Sequence, residues 1–185
     1  MGYRHDHESV LDSAVALARE SGLKELTFRS VGRRAGIPDR TVVYYYPTKD
    51  QLILAVLERA TAQLVDLLTA AVGDELRRVD DLLQTSWEAL RRPEVDQALR
   101  LYIETLGLAA HGREPYRSII TQLTATWTTW FATRLALEPA DRADHAVAIV
   151  ATLDGLLLLQ VTAGPEVAAA AARGLRLTAS PPPLR

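Results

Sequence analysis

Apolar residues recur at every third or fourth position along almost the whole chain, and that period limits what it can fold into. Val10, Leu11, Ala14, Leu17 and Ala18 fall on one helical face, and no segment keeps the strict alternation of a half-buried strand. Glycine and proline punctuate the pattern. Gly22 closes the first helix in the C′ position, Thr27 caps a second over Phe28–Ala35, and Gly36 ends it. Pro38 and Asp39 open a third through about Tyr45, and Pro47 stops it. Thr48 caps a long fourth helix carrying Leu52, Ala55, Val56, Arg59, Ala60 and Gln63 at helical spacing. Beyond Gly73 the spacing predicts helices over 74–91, 94–110, about 115–137, about 140–162 and 166–177, then a frayed Pro181-Pro182-Pro183 tail. The expectation is an all-α chain of about nine helices, divided into a three-helix domain over 1–47 and a helical body over 48–185.

Composition excludes several function classes. Of 185 residues, 48% are hydrophobic and 24% charged, enough apolar surface for a core and unlike a disordered chain. The absence of cysteine removes disulfides, Fe–S clusters, thiolate zinc sites and cysteine nucleophiles, and suits a reducing intracellular setting. The polar start, Met1 to Glu8, lacks the apolar region of a secretory signal, and position 6 lacks the Ser or Thr of a myristoylation pattern. The most apolar stretch, 147–161, is interrupted by Asp154 and falls short of a membrane span, so a cytoplasmic protein without a membrane partner is expected. His5, His7, His111 and His145 are scattered, and there is no Gly-rich phosphate loop, nucleophile elbow or HExxH. No catalysis, cofactor or resident metal is expected; His5 and His7 could take up a metal only adventitiously.

The net charge of −2 hides an asymmetry. Through Ala60 there are nine basic and eight acidic residues, and thereafter twelve and fifteen. Between the only two lysines, Lys24 and Lys49, the basic residues also include Arg29, Arg33, Arg34 and Arg40, against Glu25 and Asp39 alone. A basic patch on a mildly acidic body is the footprint of a nucleic-acid partner, or of a solvated surface on which charges cluster by chance.

The same segment reads T-F-R-S-V-G-R-R-A-G-I-P-D-R-T-V-V-Y-Y-Y-P-T-K from Thr27 to Lys49. Two short helices around a Gly-containing turn make a helix-turn-helix unit, whose second helix can enter a major groove. Ala35 is small where the two helices are expected to cross, Gly36 can take the positive φ of the turn, and Ile37 and Val42 supply core contacts. Asp39, Arg40, Thr41, Tyr44 and Tyr45 remain outside, where polar and aromatic side chains suit phosphates and bases.

These residues resemble the N-terminal DNA-binding domain of the TetR-type transcriptional regulators, whose pattern runs roughly Thr-x-Arg-x-Ile-Ala-x-x-Ala-Gly-Val-Ser-x-x-Thr-Leu-Tyr-x-Tyr-Phe-x-x-Lys. Thr27, Arg29, Ala35, Gly36, Thr41, Tyr45 and Lys49 are identical to it, and Val31, Ile37, Val42 and Tyr46 are close replacements. The preceding V-L-D-S-A-V-A-L-A-R-E-S-G-L is similar to the family's first helix, so the resemblance covers about residues 8–57. Three departures stand out: Gly32 for Ala, Pro38 for the capping Ser, and Val43 for a phosphate-contacting Tyr, a role that Tyr44 could take over.

The resemblance implies a homodimer that puts its third helices into successive major grooves of a palindromic operator, and a repressor released by a small-molecule effector. It counts Thr27 and Pro38, at the helix starts, among the DNA-binding residues with Tyr44, and puts Arg29 and Thr41 on base edges or phosphates and Tyr45 and Lys49 on phosphates. Arg40 occupies a variable reading position, where an arginine can pair bidentately with guanine. Asp39 could accept from cytosine or cap the helix, and Arg33 and Arg34 are phosphate-facing or solvated.

It also implies that the C-terminal helices bind the effector and dimerise. Ala146, Ile149, Val150, Leu153, Leu156, Leu157 and Val161 form a broad apolar face, with Val150, Leu153, Asp154, Leu157 and Val161 as the expected dimer contacts. Trp87, Tyr102, Trp127 and Trp130 are either plain core or the walls of a cavity for a hydrophobic effector, with Thr105, Gln122, Thr126 and His111 as polar anchors. The rival reading, permitted by Gly32 and Val43, is a helical ligand-binding module with weakened or lost DNA binding.

Overall fold

The computed structural model describes residues 7–177, and these contain nine α-helices. They are α1 (His7–Ser21), α2 (Phe28–Ala35), α3 (Asp39–Tyr45), α4 (Lys49–Val72), α5 (Val79–Leu90), α6 (Asp96–Ala110), α7 (Tyr116–Ala132), α8 (Pro139–Thr162) and α9 (Pro165–Gly174). Two short 3-10 turns, Leu23–Glu25 and Pro93–Val95, carry no signal in the helical period. His5 and the Pro181–Pro183 tail lie outside the described residues. The chain forms two compact units, one from residues up to Leu64 with Arg100–Ile120, the other from Val65–Leu99 with residues from Thr121 onward.

In the first unit α2 packs on α1 and α3 around Val10, Ala14, Val31 and Val42, all 0% exposed. α2 starts in a capping box: Thr27 Oγ1 accepts from the Ser30 amide at 3.1 Å, and Ser30 Oγ accepts from the Thr27 amide at 2.9 Å. Gly36 ends the helix at φ 70°, a left-handed conformation that a side chain would strain. A close approach falls at Gly32, where an added Cβ would lie 2.8 Å from the Ile37 carbonyl oxygen. Gly32→Ala gains about 1 kcal/mol of helix propensity but must push the turn backbone outward, an overpacking cost of about 1–3 kcal/mol. A net loss of stability is expected, visible as a lower Tm; a higher Tm would show that the turn yields freely.

Ion pairs fasten α1 to its neighbours. Arg34 donates both terminal nitrogens to the Glu20 carboxylate at 2.6 and 2.7 Å, and that pairing holds the Glu20 carboxyl below its ordinary pKa. Arg59 of α4 reaches Glu8 and Asp12, and Arg19 donates to Gln63 at 2.6 Å. Glu104 of α6 accepts the Leu23 amide with both carboxylate oxygens, at 3.0 and 3.2 Å.

Tyr46 is 4% exposed and its hydroxyl has no hydrogen-bond partner among the described residues. Burial, then the nearby Glu8, pushes this phenol up to about 12. It stays neutral while an unfolded chain's tyrosine ionises near 10, so its contribution to stability is present below about pH 10 and fades as pH rises toward 12. Tyr46→Phe removes the unpaired hydroxyl, and a gain of about 1 kcal/mol is expected in denaturant melts at neutral pH. The variant should also lose less stability than the wild type between pH 10 and 12. A destabilised variant would mean that the hydroxyl has a partner after all.

In the second unit Leu82, Trp87, Phe131, Leu135 and Ile149 are each at most 2% exposed, and α8 packs on α5 and α9. Two expected boundaries are corrected. Residues 74–78 and 133–137 are not helical, because the Arg77 amide donates to the Arg134 carbonyl and the Ala136 amide to the Arg77 carbonyl, each at 2.8 Å. Those backbone groups bind across the chain instead of within a helix. Arg134 reinforces the junction: its guanidinium lies 4.1 Å from the Trp130 ring centroid and donates to Gly73 O and Asp74.

By length and composition α8 is sufficient to cross a membrane, which corrects the expectation that this stretch falls short. Its Ala146, Ile149, Val150, Leu153, Leu156 and Leu157 are nonetheless buried on one face within their own unit, as in a core helix.

Candidate nucleic-acid interface

Val42 is the buried residue of α3, and the rest of that short helix is turned outward or half-buried. Tyr44 is 79% exposed and Val43 40%, and Asp39 and Arg40 are exposed one turn earlier on the same side. Thr41 and Tyr45 are half-buried. Tyr45 stacks edge-on between Tyr44, at 5.3 Å, and His7, at 5.5 Å, which limits its rotamers. Pro38 is the N-cap residue and supplies no side-chain cap. Asp39 takes part of that role, accepting the Arg40 amide at 2.8 Å.

Around α3 lie exposed cations. Lys24, Arg29, Arg33, Arg40 and Lys49 are all exposed and have no ion-pair partner among the described residues. Arg34 is the exception, bound to Glu20; a partner 14 residues away leaves no local signal in the sequence. Lys49 opens α4, whose start is held by a reciprocal pair: the Gln51 amide donates to Thr48 Oγ1 and the Thr48 amide to Gln51 Oε1, both at 3.2 Å. Thr27 is exposed, but its hydroxyl belongs to the α2 cap. Ser30 and Glu20, which shape this surface, were not anticipated. A capping box is normally signalled by Glu or Gln at the third helical position, and here the residue is Ser.

The residues expected to bind effector are less gathered. Trp127 and Trp130 meet edge-on at 6.4 Å, and the Trp130 indole donates to Thr69 at 3.2 Å, which with Arg134 builds it into the packing. Gln122 and Thr126 are exposed. In the first unit Thr105 is fully buried, its hydroxyl donating to Leu101 O at 2.8 Å, and Tyr102 is half-buried. Trp87, 2% exposed, lines a cleft in the second unit. Of the expected dimer contacts, Val150, Leu153 and Leu157 are 7%, 4% and 4% exposed, already covered by their own chain, while Asp154 and Val161 are half-buried. The free apolar side of α8 is the opposite one, where Val147 is 53% and Leu158 47% exposed.

Residues 10–56 match the family described as bacterial regulatory proteins, tetR family. The chain is 26% identical over 159 residues to the HTH-type transcriptional regulator BetI of Rhizobium meliloti, covering 83% of this chain and 76% of that protein. It is 25% identical over 79 residues to the nucleoid occlusion factor SlmA of Haemophilus influenzae, 41% of this chain and 36% of that one. Among solved structures, multidrug binding protein EbrR in complex with imidazole superposes with a TM-score of 0.70 at 26% identity, covering 98% of this chain and 96% of that one. A transcriptional regulator from Streptomyces coelicolor, SCO7518, gives 0.72 at 20% identity over 94% and 98% of the two chains, a likeness of fold. With its basic, outward-facing third helix set in this framework, residues 10–56 form the DNA-binding domain of the tetR family, and the chain as a whole is similar to regulators that carry it.

Proposed function

We propose that the protein is a dimeric repressor that occupies a palindromic operator and leaves it when a small-molecule effector binds, acting in the cytoplasm. Residues 1–47 read DNA and 48–185 bind effector and dimerise. The observation that carries the DNA side is α3 itself: an exposed Arg40, without an ion-pair partner among the described residues, beside exposed Val43 and Tyr44 on a helix whose buried residue is Val42. Arg40 reads guanine, Val43 offers methyl groups to a thymine C5-methyl, and Tyr44, Tyr45 and Lys49 hold phosphates. These features weigh against a module that has lost DNA binding.

The dimer uses the outward side of α8, where Val147, Ala148, Ala151, Gly155 and Leu158 are exposed at helical spacing. Small residues between the two large ones let a second copy of the helix approach closely. α4 runs from one compact unit into the other, so an effector bound more tightly by the DNA-incompetent state shifts occupancy through it, typically by about 1–3 kcal/mol. The effector has a substantial apolar part, in keeping with the aromatic side chains of this unit; EbrR, similar to this chain, has been crystallised with imidazole and with proflavin.

Selection of duplexes from a random library by the wild-type protein, followed by gel shift, tests the reading. The expected product is an inverted repeat with a symmetric guanine and a nearby thymine. Replacing that thymine by uracil should weaken the wild type and leave Val43→Ala unchanged. No enrichment would overturn DNA binding by this chain, and enrichment of an asymmetric site would overturn the palindromic dimer.

A further inference from the structure

The second unit holds a cleft of about 330 Å³ where the end of α5 meets the junction of α8 and α9. Trp87, Glu88, Arg91, Arg92, Gln160 and Pro165 are among the residues that line it. The volume lies at the small end of the range for metabolite sites. Gln160 follows Leu153 and Leu157 on the inward side of α8, so the cleft opens away from the Val147–Leu158 stripe.

Its polar chemistry is one-sided. Trp87 is 2% exposed and lines the cleft, and its indole N–H has no hydrogen-bond partner among the described residues. Arg91 and Arg92 are exposed and likewise lack ion-pair partners among the described residues. Gln160 adds amide hydrogens. The lone carboxylate, Glu88, already accepts from Gln84 at 3.1 Å. Donors therefore outnumber acceptors, and the net charge of the lining is positive. Pro93, Pro165 and Ala169 add apolar surface beside Trp87.

We propose that this cleft binds a small organic carboxylate with a flat apolar body, the carboxylate on Arg91 and Arg92 and within reach of the Trp87 N–H, the body against the indole. Arginine forks fit a carboxylate bidentately, and a neutral analogue would leave these donors unpaired. The proposal rests on the ligand-responsive reading above and deepens it by naming the ligand's chemistry.

Calorimetric titration of the full chain with benzoate and cinnamate, against their methyl esters and benzylamine, tests it. The acids should bind at least about tenfold more tightly than the esters, and benzylamine should not bind. Arg91→Ala with Arg92→Ala should lose about tenfold for the acids while operator binding without ligand stays as in wild type. Trp87→Phe, which keeps the ring and removes the donor, should weaken the acids and leave the esters unchanged. Esters equal to acids, an arginine double variant with unchanged affinity, or no binding by either acid would each overturn the cleft assignment. A wild-type protein that selects no operator would instead overturn the regulator reading, whatever the calorimetry shows.

Discussion

Leu158→Glu is expected to give a folded monomer, and its neighbour Leu157→Glu a chain that does not fold. Leu157 is 4% exposed and faces the core of its own unit; a glutamate there must bury a carboxylate with no partner, at a cost of several kcal/mol. That is comparable with the whole stability of a domain, about 5–15 kcal/mol. Leu158, about 100° further round α8, is 47% exposed, so a glutamate remains hydrated in the single chain. In a two-fold contact the same residue occurs twice, and two carboxylates are forced together or onto apolar surface. Sedimentation should show a wild-type dimer and a Leu158→Glu monomer at micromolar concentration, with matching far-ultraviolet circular dichroism. Operator affinity should fall with the loss of the second half-site. A monomeric wild type, or a Leu158→Glu dimer, would remove this face from the assembly.

The second large effect separates reading from holding. Arg40→Ala should cost about 1–3 kcal/mol per half-site and relax preference at one symmetric pair of operator positions. Lys49 stands at the first turn of α4, where the helix's free amides also favour an anion. Lys49→Ala should weaken selected and scrambled duplexes alike and lower the log–log salt slope by about 1 per subunit. Both variants are measured against both duplexes at several salt concentrations. If Lys49→Ala loses discrimination while Arg40→Ala weakens both duplexes equally, the register of α3 on the groove is wrong. If neither has an effect, this segment does not touch DNA.

Much of this surface was legible in the chain because its signals are local. A capping residue, a glycine that must take positive φ and a proline that halts a helix act within four or five residues, so α2, α3 and the start of α4 appear at the expected places. The helical period likewise marked all nine helices, since burying one face of each is a property of the segment. What the period could not decide is where a helix stops for the sake of a distant partner. Residues 74–78 and 133–137 look helical alone, and only the backbone pairing of Arg77 with Arg134 and Ala136 withdraws them.

The same division holds for function. Which residues are basic, and which short helix turns polar and aromatic side chains outward, follow from the order of residue types between Lys24 and Lys49. Which of those cations are paired depends on tertiary structure, because Glu20 on α1 neutralises Arg34, while Arg33 beside it has no ion-pair partner among the described residues. On α8 the helical period marks the broad apolar face that is buried, but not whether the same chain or a second copy covers it. Packing on α5 and α9 covers Val150, Leu153 and Leu157 and leaves Val147 and Leu158 outward. A donor-rich cleft at Trp87, Arg91 and Gln160 depends on side chains 69 residues or more apart in the chain being brought together. Local chemistry is written in the chain's order, whereas pairing, burial and cavities belong to the packing, because each depends on what distant segments supply.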